Sequence, residues 1–309
     1  MSTLYWSCLF RSQPKRALVA IVVSAFLCVS LLYWIIRDTD ESTEQINQHR
    51  LLHLREACER NSNGDKHIIE TSFYIHVKNE SLLYCLVFKS GTTSWFYNIN
   101  RWAGYSKEKI LDDKTDNFNL ARQKYPFENP TVLLTSMKNT YSFIVVRDPF
   151  ERLISAYEER LLGQIHPYYK NLSYKIYRKY HDDGREYGLP TFQDFVRYVV
   201  DEFRDSHPTD LHWRPINDLC TPCLARYDFI LKMETFAQDM EYLANRTQLS
   251  GKIDRVQMNH SRRDSVNRLI KKYFSQLTRQ QLQDLYDIYK IDFDLFEYSS
   301  KKYFELVKP

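Results

Sequence analysis

The chain has 309 residues, 43% of them hydrophobic, 27% charged and 15% aromatic, with only 7 glycines. This is a globular composition, long enough for one large domain with appendages, and it excludes collagen-like and low-complexity architectures. The formal charge of +4 is local: the first 36 residues hold Arg11, Lys15 and Arg16 and no acid, so 43 less 3 leaves 40 Lys and Arg against 39 Asp and Glu, and no global basic field argues for nucleic acid.

Residues 1–16 read as a cytosolic tail. Ala17 to Ile36, "ALVAIVVSAFLCVSLLYWII", carries no charge over 20 residues. At about 1.5 Å per residue it is long enough for a bilayer core of roughly 30 Å. Basic residues precede it, and Asp38, Asp40 and Glu41 follow Arg37, so the positive-inside rule places the remainder in a lumen. A cleaved signal peptide fits less well, because the apolar run is long and no A-x-A site follows. The expected topology is a single-pass type II signal anchor. Residues 37–75 are polar and read as a stem, and 76–309 as the lumenal domain.

Four sequons follow the anchor, at Asn79, Asn171, Asn245 and Asn259, as glycosylation candidates; Asn129-Pro-Thr is blocked by its proline. Cys58, Cys85, Cys220 and Cys223 also lie beyond it, and an oxidising lumen allows two disulfides in any of three connectivities. "CTPC" alone lacks the further ligands a zinc site needs, so no metal is expected.

Within the domain, "SLLYCLVF" (81–88), "YSFIVVRDP" (141–149) and "YDFILKMET" (227–235) read as buried strands. Each is followed by a helix: from Thr93, over "FERLISAYEERLL", and over "FAQDMEYLANRT". Repeated strand–turn–helix units predict an α/β fold, a parallel sheet flanked by helices. Near the C-terminus, Thr278 and Gln281 form a capping box, and Leu282, Leu285, Tyr286 and Tyr289 share one helical face, which reads as core.

The chemistry sits at two strand ends. The first strand runs into Lys89, Ser90, Gly91, Thr92, Thr93 and Ser94, a P-loop-like turn that opens a helix. Backbone N–H groups and the helix dipole converge on an anion in such a turn, and Gly91 permits close approach. The order is K-x-G-T-T, not G-x-x-x-x-G-K-[ST], so it is not a nucleotide triphosphatase loop. At the second end, Arg147 stands at the strand tip, Pro149 starts a helix, and Arg152 and Ser155 follow. Positions 148, 152 and 155 share a face, and Arg147 with Ser155 suits a second phosphate. Each element has a plain reading too: a surface turn containing a lysine, and an Arg147–Asp148 ion pair.

At these residues the chain resembles the Golgi carbohydrate sulfotransferases, the group including chondroitin, dermatan and N-acetylgalactosamine 4-O-sulfotransferases. "FKSGTTSW" resembles the family's 5'-phosphosulfate loop and "RDPFERLISAY" its 3'-phosphate element. "HWRPINDLCTPCLARYDFILKMET" (212–235) and "LYDIYKIDFDLFEYS" (285–299) resemble two further blocks, the likeness covering about residues 80–300. Gly-Thr-Thr departs from the chondroitin group and is closer to heparan-type and cytosolic enzymes. The resemblance implies transfer of a sulfuryl group from 3'-phosphoadenosine 5'-phosphosulfate (PAPS) to a glycan hydroxyl, in the Golgi lumen, with no permanently bound cofactor. Lys89 and His212 are then the candidate catalytic residues, with Glu158 and Glu159 as reserve bases. Lys89, Ser90, Gly91, Thr92, Thr93, Ser94, Arg147, Arg152 and Ser155 are the candidate donor contacts.

A chondroitin- or dermatan-type or N-acetylgalactosamine-containing acceptor is expected, with heparan or glucuronyl-capped chains as alternatives. Arg262, Arg263, Arg268, Lys271 and Lys272 offer charge to an anionic acceptor, or are a solvated helix face. A non-enzymatic type II membrane glycoprotein would bind no nucleotide. A lumenal kinase would need magnesium-binding carboxylates near Lys89.

Overall fold

The computed structural model describes Val22 and residues 42–61, 68–112, 114–163, 166–205, 209–254 and 263–307, the side chains of 263 and 264 excepted. The chain divides into Met1–Ile46 and Asn47–Pro309, and the fold below is that of the second unit. Of the expected membrane segment only Val22 is described, and Asn259 lies outside the described residues. Among the described residues no helix is long and apolar enough to cross a membrane.

The unit opens with α1, residues 47–61 of a helix over 42–61. Strands β1 (Tyr74–Val77) and β2 (Leu82–Cys85) follow, then α2 (Thr92–Trp102), α3 (Lys107–Leu111), α4 (Asn117–Lys124) and α5 (Pro130–Ser136). Next come β3 (Tyr141–Val146), α6 (Pro149–Ala156), α7 (Pro167–Tyr180), α8 (Phe192–Arg204), α9 (Ile216–Cys220), β4 (Phe229–Lys232) and α10 (Phe236–Arg246). Helices α11 (Arg263–Phe274), α12 (Arg279–Leu295) and α13 (Lys301–Phe304) close the unit.

The four strands form one sheet in the order β1-β2-β3-β4. β2, β3 and β4 are parallel, with Tyr84 opposite Phe143 and Val146 opposite Lys232. The expectation of a parallel sheet needs one correction: β1 pairs antiparallel with β2 across the short turn Lys78–Glu80. Only four residues separate these strands, Lys78 to Ser81, too few for a crossover, so the chain can only fold straight back. The parallel strands are almost wholly buried, as strands covered on both faces must be. Tyr84, Trp95 and Phe143 pack together in the sheet core, while a second, helix-built core gathers Phe150, Phe192, Phe195, Phe274, Phe293 and Tyr303. The capping box of Thr278 and Gln281 starts α12, and Leu282, Leu285 and Tyr289 are buried as expected.

The stem boundary is also corrected, because α1 is built into the domain. The Asn47 amide donates to the Asp228 carbonyl at 2.9 Å and accepts from the Ile230 N–H at 3.0 Å, occupying the free edge of β4 as a neighbouring strand would. Arg50 is buried, donating to the Ile230 carbonyl and to Asp239, both at 2.8 Å, and to Thr235 at 2.9 Å. A buried guanidinium has to be paired wherever it lies, and these partners are on β4 and α10. Of the three disulfide connectivities, the pairs are Cys58–Cys223 and Cys85–Cys220. The first ties α1 to the loop before β4, and the second ties β2 to α9.

Candidate functional site

Because β2, β3 and β4 are parallel, the segments after them lie along one edge of the sheet, where ligands bind in open α/β folds. After β2 the backbone turns sharply: Lys89 and Gly91 both adopt left-handed conformations, with φ of 68° and 72°. Gly91 is the N-cap of α2 and supplies no side-chain cap, so the first N–H groups of an 11-residue helix lack an intrahelical partner. Added at Gly91, a Cβ would sit 3.2 Å from the Phe236 ring and 3.3 Å from Met233 Sδ, on top of its φ penalty. The loop therefore needs glycine on both counts. Ser90 is fully buried and its Oγ has no hydrogen-bond partner, whereas Thr92 and Ser94 are buried and Thr93 is exposed. An orphaned hydroxyl beside uncapped amides fits an anionic group.

Arg147 follows β3 and reaches across to this loop, its Nη1 donating to the Lys89 carbonyl at 3.3 Å while Nε lies 3.8 Å from Glu151. The N-terminus of α6 is already occupied by its own cap. Asp148 accepts from the N–H of Phe150 at 3.0 Å and of Glu151 at 3.2 Å, and Tyr303 donates to it at 2.6 Å. A second anion at this strand end would thus meet Arg147 and the half-buried Ser155, not the helix amides.

Arg152 does not fit its expected role. It is fully buried, and its guanidinium donates to the carbonyls of Phe88 (3.4 Å), His212 (3.2 Å) and Arg214. Its three carbonyl partners bind the loop after β2 to the segment around His212, so its Nη atoms position the two, while its buried Nε has no hydrogen-bond partner.

The Lys89 ammonium pairs with Glu159. Burial pushes its pKa down, with Glu159 opposing; for Glu159 burial acts upward, and the ammonium of Lys89 outweighs it to leave that carboxyl below its ordinary value. Glu159 stands on a π-helical turn, Tyr157–Leu162, which continues α6 and breaks the expected α-helix over "FERLISAYEERLL". Such turns recur at functional sites. Arg160 on the same turn lies 3.4 Å from Glu159 and over the Tyr169 ring. Glu158, the other reserve base, is turned away to Tyr273 and Lys272 on α11.

His212 completes the cluster. Its ring packs 4.9 Å from that of Phe88, next to Lys89 in the chain. Nδ1 lies 2.8 Å from Asp210 Oδ1, and the Tyr169 hydroxyl donates to Asp210 Oδ2 at 3.0 Å. A carboxylate only accepts, so Nδ1 carries the proton and Nε2 keeps its lone pair. Nε2 is buried and has no hydrogen-bond partner. Burial holds His212 below the ordinary histidine range, with Asp210 opposing. Burial acts upward on Asp210, but the hydrogen bond and charge of His212 hold it below the carboxylate range. Asp210 and Tyr169 were missed from sequence; the D-x-H spacing of "DLH" was the available signal. Asn79, Asn171 and Asn245 are exposed, and the described basic side chains Arg268, Lys271 and Lys272 lie on the outer face of α11.

The chain is 29% identical to carbohydrate sulfotransferase 9 of Homo sapiens (84% of this chain, 61% of that protein) and 27% to carbohydrate sulfotransferase 8 of Mus musculus (84% and 65%). Carbohydrate sulfotransferase 10 of Xenopus laevis is 33% identical over 171 residues (52% and 48%). The chain thus spans less than two thirds of the length of these relatives. No solved structure matches it. The model of the sulfotransferase family matches residues 72–299, from the residues before β1 to just beyond α12 and so across both strand ends and His212. On that span the chain belongs to the sulfotransferase family.

Proposed function

We propose that the chain is a carbohydrate O-sulfotransferase that moves a sulfuryl group from PAPS to a glycan hydroxyl. The observation that carries this is the meeting of Lys89, Arg147 and the Asp210–His212 pair at the C-terminal ends of β2 and β3. In this reading the loop 89–94 receives the 5'-phosphosulfate, and Arg147 with Ser155 receives the 3'-phosphate. His212 Nε2 takes the proton of the acceptor hydroxyl, whose oxygen attacks sulfur. The bond from sulfur to the bridging oxygen breaks, and Lys89 stabilises the charge left on the phosphate. Fixed charges aimed where charge develops supply the largest share of such catalysis. The buried Lys89 and the oriented Nε2 suit those parts because neither has to reorganise far during the step.

The acceptor in this reading is of chondroitin, dermatan or N-acetylgalactosamine type, as the likeness of the later blocks favours; the relatives' names support a carbohydrate acceptor. The site belongs in the Golgi lumen behind a type II anchor at 17–36, supported by the charge asymmetry of the sequence. Two measurements test the proposal. Full-length protein in detergent, given sulfate-labelled PAPS, should label a chondroitin or N-acetylgalactosamine-terminated acceptor; labelling of none in a panel that also includes heparan would refute it. In intact microsomes, glycan removal from Asn79 or Asn245 should require permeabilisation, and removal without it would overturn the topology.

A further inference from the structure

The opposite edge of the sheet carries a cavity that the proposed reaction does not use. It encloses about 490 Å³ between α1, the loop before β4 and the start of α10's last turn, within the ~300–1,000 Å³ usual for ligand pockets. Tyr141 and Phe229, the first residues of β3 and β4, are among its walls, their rings 5.9 Å apart. Lys89 and Arg147 lie beyond the other ends of the parallel strands. Six residues of β3 separate the two edges, roughly 20 Å at ~3.3 Å per residue.

The chemistry of the lining is specific. Arg55, Arg226 and Arg246 come from three separate parts of the chain and line the same cavity, with Asp228 as the one carboxylate among the lining residues. Arg226 lies 2.9 Å from Asp228 yet its side chain is 62% exposed, so one face of its guanidinium fork remains open to a second anion. Tyr141 is 44% exposed, an aromatic face at a strand start where burial would be the usual outcome. The walls are also fixed: the Cys58–Cys223 disulfide is part of the lining, and the Asn47 bracket holds α1 against β4. A cavity that is already rigid loses little freedom when a ligand enters.

We infer that this cavity is a second saccharide site, selective for sugars that carry a carboxylate or sulfate. The open face of Tyr141 suits the C–H face of a sugar ring, and planar guanidiniums suit the paired oxygens of carboxylate or sulfate. The inference rests on the proposed function only for the choice of saccharide over other ring-bearing anions. An enzyme that sulfates glycans works among chains bearing these groups, and a second site about 20 Å from the reacting edge would hold an anionic segment without blocking the reaction.

The test uses full-length protein in detergent and a chondroitin 4-sulfate tetrasaccharide as the probe, with its desulfated, carboxyl-reduced counterpart as control. Calorimetry should show two equivalents bound to the wild type, and the neutral control should occupy the cavity at least tenfold more weakly. The double variant R55Q/R226Q, and separately Tyr141→Ala, should lose one equivalent while binding of adenosine 3',5'-bisphosphate at the other edge is unchanged, which also reports that the fold survives. Both equivalents persisting in the double variant, or a neutral control that binds equally well, would overturn the inference. Sulfate transfer assayed in parallel separates the two readings: an equivalent lost with R55Q/R226Q in a protein that transfers no sulfate would sustain this site and sink the proposed reaction.

Discussion

Asp210→Asn is the sharpest test of the site, because it removes one oxygen and one charge and little else. In the wild type, Asp210 Oδ1 accepts from His212 Nδ1 at 2.8 Å and from the His212 backbone N–H at 2.9 Å, and Oδ2 accepts from Tyr169 at 3.0 Å. Asparagine keeps one acceptor and replaces the other with a donor. If its carbonyl stays on the Nδ1 side, the tautomer survives but the charge is gone; if the NH2 takes that place, the proton moves to Nε2 and the lone pair is lost. Hydrogen bonds to a charged group contribute about 1.5–3 kcal/mol, or roughly 10- to 150-fold in tautomer ratio. Stabilisation of the imidazolium that forms during transfer is lost in addition, so kcat should fall by roughly 10²–10⁴, the usual contribution of a positioned general base. The pH profile gives the sign. The base acts when neutral, so kcat/KM falls as pH drops through the His212 pKa. Burial places that limb below the ordinary histidine value of about 6.5, and Asp210 works against burial. Without Asp210 the limb should move to still lower pH while the plateau drops. A variant with an unchanged plateau, or a limb displaced upward, would remove His212 from the role of base.

Substitutions at four other positions follow from the same geometry. Lys89→Ala should lower kcat by roughly 10²–10³ and raise the donor KM far less, with Lys89→Arg rescuing poorly; lost donor affinity at full kcat would make Lys89 only a phosphate holder. Arg147→Ala should weaken binding of adenosine 3',5'-bisphosphate by about 2–4 kcal/mol in a folded protein, and unchanged affinity there would refute the 3'-phosphate role. Arg152→Ala should instead lower stability, by about 3 kcal/mol or more in a urea titration, since it strands three carbonyls; a variant of wild-type stability with weakened donor binding would return Arg152 to the ligand. Glu159→Gln should tighten donor binding and leave kcat within a few-fold, whereas a collapse of kcat would make Glu159 the base.

The parallel part of the sheet was legible because it is written in local terms. Buried runs such as "FIVV" end close to Lys89 and Arg147, and Gly91 and Pro149 mark where the helices begin. Which side chain faces which way was not legible. Spacing put Arg152 on the same helical face as Ser155, but a helix this buried has no empty face, and tertiary packing turned the guanidinium toward three carbonyls from two other segments. The π-helical turn escaped notice for the same reason: no residue in "YEERLL" signals it, and only the outcome, Glu159 against Lys89, shows it. The role of α1 was hidden because only Leu54 and Ala57 among its apolar residues are buried, while its anchors Asn47 and Arg50 are polar and read as solvated until their partners on β4 and α10 are known.

The distribution of exposure within the charged cluster bears on how a donor would enter. Lys89 has a side chain only 9% exposed, against 42% for its partner Glu159. When a phosphosulfate competes for the ammonium, the partner that leaves is the one already in contact with water. The buried cation, expensive to desolvate again, stays where it is. Left-handed backbone at Lys89 and the Arg147 bond to its carbonyl hold that position from the main-chain side. The π-helical turn thus supplies a counter-ion that favours the charged form of a buried lysine, and in the proposed reaction it would give way to the donor. This is why Glu159 is better read as the placeholder for a phosphate than as a second base.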